Sequence, residues 1–242
     1  MAGGPSPFFI DSTSIEAGDH VSCLIDSILG LRRVGASKVM TESRERGIFF
    51  IIVGPGGGGK NTLIEEVIKI YPEITDVVTA TSRDTRAGEV DGVDYHFVSP
   101  GRFQEMIDQN LLIEWQEITP GNYYGVPRAE VEPYLSTGRD VIADIDVLGA
   151  HALQHEYPGA TVLIFVTVPG ETIDEKLAVL EARMRERNEK EDIIRKRLAR
   201  AEALEFPFEP ECDHVVVNDE ISSAVQHLAE IIRVARLQSV HN

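Results

Sequence analysis

The sequence is poor in cysteine. It contains two, Cys23 and Cys212, which lie far apart and form no CxxC pair. This usage argues against the disulfide-rich class of small secreted proteins and is typical of a reduced, intracellular protein. We therefore predict a cytoplasmic location.

Long apolar runs are also absent. The longest apolar stretch, Ile48 to Val53, has the length of a strand, whereas a membrane span needs roughly 18 apolar residues. The first residues, Met1 to Pro7, contain no basic segment followed by a long apolar core, as a secretory signal would. We expect neither a membrane span nor a membrane partner.

Positive charge is scarce. The 23 Lys and Arg residues face 40 Asp and Glu residues, which gives a formal net charge of −17 at pH 7. Such a chain repels nucleic acid and anionic membranes, so neither is a predicted partner. It also repels nucleotides, and a nucleotide site must therefore concentrate cationic side chains locally.

The pattern of the chain changes near residue 46. Residues 1–46 form an N-terminal extension, which begins irregularly because it is rich in proline and glycine. Asp19 and Gly30 bracket a predicted helix whose apolar residues recur at helical spacing, namely Val21, Leu24, Ile25, Ile28 and Leu29. This stripe needs a partner from the main domain or from another subunit, so the oligomeric state stays open.

From Gly47 onwards, apolar segments of strand length alternate with helical stripes. Strands are expected at 48–53, 77–78, 141–145, 161–168 and 214–217. Helices are expected at 61–71, along the stripe from Ile173 to Met184 and along the stripe from Ile194 to Leu204. Strands separated by helices predict an α/β fold with a central parallel sheet covered on both faces.

A glycine-rich segment lies between the first expected strand and the first expected helix. This order is the context of the phosphate-binding P-loop. Glycines let backbone N–H groups point at phosphate oxygens, and a lysine after them can reach the β- and γ-phosphates. The residues that this pattern assigns to ATP are Gly54, Pro55, Gly56, Gly57, Gly58, Gly59, Lys60, Asn61 and Thr62.

Two other interpretations of this segment compete. Gly54, Gly56 and Gly59 also satisfy the GxGxxG pattern of dinucleotide-binding folds, but the Gly-Lys ending and the lack of a suitable acidic residue disfavour it. The strand, the lysine and the helix together argue against a turn without a ligand. Asn61 stands where a Ser or Thr hydroxyl normally reaches Mg²⁺, and its amide oxygen is a candidate metal ligand.

A second phosphate site is indicated by Arg83, Arg86 and Tyr95. Guanidinium groups suit phosphate oxygens, and a phenol adds a neutral donor. Residues 81–97 contain TSR and then, in order, R, AGE, G and Y-x-F. This series matches the signature of the guanylate kinase family. With the P-loop before it and further motifs after it, the chain resembles this family from about Gly47 to about Arg236.

The resemblance implies a three-layer P-loop kinase fold with a central parallel sheet. The domain would span residues 47–237, with a GMP-binding insertion at about 82–127 and a helical lid at about 171–206, followed by a tail at 238–242. It implies phosphoryl transfer from ATP to GMP, giving ADP and GDP, with Mg²⁺ accompanying ATP.

The resemblance also implies the acceptor site. Glu114 matches the family's guanine-reading glutamate, because a carboxylate can accept hydrogen bonds from N1–H and the exocyclic amine of guanine, a pair that adenine lacks. By itself, Glu114 could be a solvated acid. Val126 stands where the family usually has a Ser or Thr that helps to bind guanine. The residues implied to bind GMP are Thr79, Arg83, Arg86, Glu89, Tyr95, Glu114, Tyr124 and Asp146.

Two acids end an expected strand at the sheet edge where ligands bind. The resemblance places Asp144 near the metal, through water, and Asp146 at GMP, although Asp146 could instead cap the next helix. The lid arginines implied to act with Lys60 in catalysis are Arg183, Arg187 and Arg197. A solvated charged helix is the alternative for these arginines. Asn218 matches the edge of the family's adenine pocket and is assigned to ATP.

Two rival functions stay open at this point. A catalytically impaired guanylate kinase-like binding module is favoured by Asn61 alone, since Lys60 and the lid arginines are present. A kinase of the same fold with another phosphorylated acceptor is disfavoured by Glu114 and the GMP signature. His151 and His155 lie four apart but have no third ligand at a matching spacing, so we expect them at the surface.

Overall fold

The computed structural model describes residues 45–86 and 88–239. The helix predicted within the N-terminal extension and the last three residues of the tail lie outside this range, as does Ala87 of the signature. Within the described ranges, no helix is long and apolar enough to cross a membrane.

The strands form two separate sheets. In the part of the chain that the structure describes, five parallel strands form the larger sheet in the order β2-β7-β1-β8-β9, and a smaller mixed sheet has the order β4-β3-β6-β5. The strands are β1 (Phe49–Val53), β2 (Thr75–Asp76), β3 (Ala80–Thr81), β4 (His96–Phe97), β5 (Leu112–Thr119), β6 (Asn122–Pro127), β7 (Val141–Asp144), β8 (Thr161–Thr167) and β9 (His214–Val217).

Helices lie between strands along the chain and after the last strand. They are α1 (Lys60–Ile70), α2 (Pro100–Asp108), α3 (Glu132–Leu135), α4 (Val147–Glu156), α5 (Ile173–Glu186), α6 (Glu191–Arg200), α7 (Phe206–Phe208) and α8 (Ile221–Ser239). A π-helical turn at Ala201–Glu205 joins α6 to α7, and 3-10 turns lie at Arg128–Glu130 and Glu209–Glu211.

The central strand β1 is buried along its whole length, because helices cover both faces of the larger sheet. Phe50 and Ile52 pack with residues of α1 and α8 in one apolar cluster. Phe49, Ile51 and Val53, which point to the opposite face, pack with residues of α4 and α5 in another. These two cores confirm the predicted α/β fold with a central parallel sheet between layers of helices.

The predicted strands agree with the structure except at one edge. The second strand lies at Thr75–Asp76 and not at Val77–Val78, so that prediction was wrong by two residues. Among the described strands, this edge strand pairs with β7 alone, and Val77 N–H still donates to the Ile142 carbonyl at 2.9 Å before the chain leaves the sheet. Apolar character alone does not show where an edge strand stops pairing.

The smaller sheet lies within the segment predicted to bind the acceptor. Its strands β5 and β6 form an antiparallel hairpin that turns at Gly121, where φ is 82°. Phe103 and Met106 of α2 bury one side of this sheet. Helix α4, which follows β7 of the larger sheet, packs against β5 so closely that a Cβ at Gly149 would lie 2.8 Å from Glu114 Oε2. The hairpin is therefore held against the carboxyl edge of the larger sheet.

Candidate active site

A cavity of about 870 Å³ opens at the carboxyl edge of the larger sheet, beside the smaller sheet. This is the position at which open parallel sheets bind ligands, and the volume is within the range of small-molecule sites. Its lining brings together most of the predicted site residues: Gly54, Gly56, Gly57, Gly59, Lys60, Asn61, Thr62, Thr79, Arg83, Arg86, Tyr95, Glu114, Tyr124, Asp144, Asp146, Arg187 and Arg197.

The P-loop joins β1 to α1 and needs glycine at specific positions. Gly54, Gly57 and Gly59 have φ values of 136°, 98° and 92°, which side chains rarely tolerate. A Cβ at Gly54 would lie 2.2 Å from the Val166 carbonyl oxygen, and one at Gly59 would lie 2.3 Å from Asn218 Nδ2. The loop is thus fixed both by its backbone conformation and by close packing on the ends of β8 and β9.

Lys60 is the first residue of α1 and is held by the loop itself. Its ammonium donates to the carbonyls of Gly54 and Pro55 at 2.6 and 3.3 Å, and lies 3.7 Å from Asp144 Oδ1. The lysine is therefore positioned at the cavity wall. Burial raises the pKa of Asp144, and the nearby Lys60 charge partly opposes this rise.

Arg83 is the most firmly fixed cation on the acceptor side of the cavity. Its guanidinium forms two hydrogen bonds with the Glu89 carboxylate, at 2.6 and 2.7 Å, and donates to Tyr124 Oη at 3.1 Å. It also lies over the ring of Tyr95, 4.9 Å from the centroid. These contacts leave little rotameric freedom, so a phosphate would meet a cation already in place.

Glu89 holds the Arg83 guanidinium in place. It accepts a hydrogen bond from Arg86 N–H at 2.7 Å as well as those from Arg83, and it does not line the cavity. The bonds from Arg83 lower the pKa of Glu89 to about 2, so the carboxylate stays charged at neutral pH. The structure places Glu89 as a positioning residue for Arg83.

Glu114 extends from β5 into the cavity and is mostly buried. Desolvation, together with the nearby charge of Asp146, raises the pKa of Glu114 to about 7. Among the described residues, Glu114 Oε2 is buried and has no hydrogen-bond partner. A buried acceptor of this kind is costly unless a ligand satisfies it.

Asp146 is the N-cap of α4, which was one of the two roles considered from the sequence. It caps α4, where its carboxylate accepts a hydrogen bond from Leu148 N–H at 3.0 Å, and it lines the cavity. It also forms an ion pair with Arg200, which was not among the predicted site residues. Arg200 in turn binds Glu205 at 3.2 Å, so one arginine connects two acids across the cavity wall.

The arginines of the predicted lid lie next to the P-loop. A Cβ at Gly56 would be 3.4 Å from Arg197 Cδ, and one at Gly57 would be 3.5 Å from Arg187 Nη2. Glu189 pairs with both cations, at 2.7 Å from Arg187 and 2.9 Å from Arg197. These two arginines therefore face the loop while a carboxylate neutralises them.

Five predicted residues do not line the cavity: Pro55, Gly58, Glu89, Arg183 and Asn218. Asn218 is buried behind the loop, where its amide donates to the Gly58 carbonyl at 2.8 Å. The main-chain carbonyl of Asn218 accepts a hydrogen bond from the Arg183 guanidinium at 2.7 Å. These contacts link the lid helix α5, the end of β9 and the P-loop.

Sequence reasoning missed several residues that line the cavity. Gln116 lies two residues after Glu114 on β5, and its position on the same strand face was an available signal. Lys196, Arg200 and Glu205 also line the cavity. Arg200 follows Arg197 by one helical turn, but the π-helical turn that brings Glu205 to the same wall has no clear sequence signal.

Both histidines of the pair, His151 and His155, are exposed at the surface, as predicted. Half of the His151 side chain is exposed, and its imidazole lies 3.4 Å from Glu211. The described part of the chain contains no group of three or more His, Cys, Asp or Glu side chains that could hold a metal ion.

The cavity combines a P-loop, at the carboxyl edge of a helix-covered parallel sheet, with the arginines Arg83 and Arg86. This combination defines a P-loop nucleotide-binding protein of the phosphoryl-transfer type. Comparison with known proteins makes this more specific. The family model for guanylate kinase matches residues 46–235, so the chain belongs to the guanylate kinase family.

Individual relatives agree with this assignment. The chain is 42% identical over 190 residues to a guanylate kinase of Desulfitobacterium hafniense, covering 78% of this chain and 90% of the relative. It is 38% identical to a guanylate kinase of Maricaulis maris, covering 82% and 88%. The crystal structure of guanylate kinase from Anaplasma phagocytophilum matches with a TM-score of 0.63 and 25% identity, covering 80% of this chain and 88% of that one.

Proposed function

We propose that the protein is a guanylate kinase that transfers the γ-phosphoryl group of ATP to the phosphate of GMP, giving ADP and GDP. The observation that carries this proposal is the unpaired, buried Glu114 carboxylate in the same cavity as the P-loop lysine and the arginine clamp. Guanine supplies the two adjacent donors, N1–H and the exocyclic amine, that this acceptor lacks.

The donor half of the site is the P-loop. Backbone N–H groups of the loop glycines and of the start of α1 bind the phosphates of ATP, because a helix N-terminus favours anions. Lys60, next to the loop, stabilises the charge that spreads over the transferred group. Arg187 and Arg197 add two more positive charges once phosphate oxygens replace Glu189 as their partner.

The acceptor half orients the phosphate of GMP. Arg83, Arg86, Tyr95 and Tyr124 line this part of the cavity and bind that phosphate, while Glu114 binds the base. An oxygen of the GMP phosphate attacks the γ-phosphorus, a new P–O bond forms, and the bond to the β-phosphate oxygen breaks to release ADP. The nucleophile is already anionic, so positioning and charge stabilisation suffice without a general base.

Mg²⁺ fits the donor side of the cavity. The amide oxygen of Asn61, the hydroxyl of Thr62 and the carboxylate of Asp144 line it, and Mg²⁺ prefers oxygen ligands. Mg²⁺ commonly keeps several waters and is bound largely by substrate phosphates, which suits a site with few carboxylates. When bound with ATP, the ion would neutralise phosphate charge, with Asn61 and Asp144 holding it directly or through water.

An acceptor panel tests the proposed function. We expect the purified full chain to phosphorylate GMP in a coupled ATP/Mg²⁺ assay and to use IMP and AMP much more weakly. The variant E114Q replaces one acceptor oxygen by an amide donor and should lower kcat/KM for GMP by about 100-fold, with little change in the KM for ATP. The proposal fails if the wild-type protein turns over no monophosphate while it still binds GMP.

A further inference from the structure

Gln116 faces the cavity beside the proposed base-reading residue. Side chains two positions apart point to the same face of a strand, and Glu114, Gln116 and Ile118 of β5 all line the cavity. In the hairpin, Gln116 lies opposite Tyr124, and Glu114 lies opposite Val126. Gln116 therefore sits on the ligand-facing surface between Glu114 and the phosphate clamp, and the mechanism above gives it no role.

The base has one group that Glu114 cannot bind. Along its edge, guanine presents two donors, N1–H and the exocyclic amine, followed by the acceptor O6. A carboxylate accepts hydrogen bonds but donates none. Val126, opposite Glu114, is fully buried and apolar, so it offers O6 no hydrogen bond either. An O6 that left water without gaining a donor would weaken GMP binding.

The carboxamide of Gln116 has the missing capacity. It carries two N–H donors and one carbonyl acceptor, so it can support Glu114 and bind a second group at the same time. The group next to N1–H on the base is O6, and the next polar side chain along this face of β5 is Gln116.

We propose that Gln116 is a specificity-determining residue that donates a hydrogen bond to O6 of the guanine base, a task that Val126 cannot perform. This inference rests on the proposed function, since it assumes that Glu114 binds the base of GMP. It assigns recognition of the base to two neighbouring residues of one strand, one accepting and one donating.

Three purine nucleotides test the assignment by isothermal titration calorimetry. GMP has O6, N1–H and the 2-amine, and IMP has O6 and N1–H. The 5′-monophosphate of 2-aminopurine riboside has the 2-amine alone, because without O6 its N1 carries no proton. We expect Q116A to raise Kd for GMP and for IMP by about 5- to 10-fold, as the loss of one hydrogen bond implies. The ratio of variant to wild-type Kd should stay near one for the 2-aminopurine nucleotide.

Two further variants sharpen this test. Q116L has a side chain of similar size with neither donors nor charge, so it should reproduce the same O6-dependent loss, with KM for GMP raised and kcat nearly unchanged. Q109A, at an exposed glutamine that ends α2, serves as the matched control and should leave every Kd unchanged. Thermal melts of all variants verify that they are folded.

The inference is overturned if Q116A binds GMP as the wild type does, or if it loses all three nucleotides equally. It is also overturned if T79V, at another neutral donor that lines the cavity, shows the O6-selective loss instead. These failures are distinguishable from failure of the proposed function, because they leave wild-type phosphorylation of GMP intact.

Discussion

Glu114 should make GMP binding depend on pH in the neutral range. The residue must be a carboxylate to accept both guanine donors, yet burial and Asp146 raise the pKa of Glu114 to about 7. The group is therefore mostly protonated below pH 7 and mostly ionised above it. Only the ionised fraction binds GMP well, so affinity should fall as the pH is lowered.

The size of the change in GMP affinity follows from the pKa of Glu114. With a pKa of about 7 in the free protein, the ionised fraction falls from about nine-tenths at pH 8 to about one-tenth at pH 6. The apparent Kd for GMP should therefore rise by about tenfold over this interval. An ordinary glutamate, with a pKa near 4.3, would stay ionised throughout and produce almost no change.

Isothermal titration calorimetry between pH 6 and pH 8 at constant ionic strength measures this dependence. At pH 7 about half of the protein must lose a proton from Glu114, so titrations in buffers of different ionisation enthalpy should detect release of about half a proton. The phosphate of GMP has its own ionisation near pH 6. The variant E114Q retains that contribution but lacks the carboxyl group, and it is therefore the control.

The free energy of unfolding should decrease as the pH rises, whereas the affinity for GMP should increase. A carboxyl group with a raised pKa destabilises the fold when it ionises, and the change from 4.5 to about 7 corresponds to roughly 3 kcal/mol above pH 7. E114Q should thus be more resistant to urea than the wild type at pH 8, and the gain should shrink as the pH falls and vanish below about pH 4, where the carboxyl group is protonated in both states. The reasoning is refuted if the Kd for GMP of the wild type is as flat with pH as that of E114Q.

Three further predictions concern other parts of the molecule. G59A should lower the free energy of unfolding by about 2 kcal/mol more than G159A does. Both glycines have positive φ, but only at Gly59 would a new Cβ contact Asn218. Equal losses in urea unfolding would argue against this. R236A removes a cation that pairs with the fully buried Asp140 carboxylate and should lower the free energy of unfolding by about 3 kcal/mol in urea, whereas R233A, at an exposed pair with Glu230, should have little effect. R200A removes a shared partner of Asp146 and Glu205, so steady-state kinetics should show KM for GMP raised about tenfold and KM for ATP changed little, and the reverse pattern would place Arg200 on the donor side.

The regular part of the fold was predictable because its information is local. The buried strand Phe49–Val53 and the strand His214–Val217 are continuous apolar runs, and the helix Ile173–Glu186 carries its own stripe and capping box. The two-residue strand at Thr75–Asp76 was missed, because its extent depends on where β7 stops pairing with it and not on its own residues.

The sequence by itself determined the family, the P-loop and the identity of most cavity residues, because glycine spacing and paired arginines have their meaning within short segments. Only the tertiary structure decided which of those residues face the ligand space. It placed Glu89 and Asn218 behind Arg83 and the loop, and it brought Gln116 and Arg200 into the cavity wall. It also buried Glu114. This burial raises the pKa of Glu114, which makes GMP binding sensitive to pH. Burial and electrostatic environment arise from contacts between segments far apart in the chain, so no local pattern can specify them.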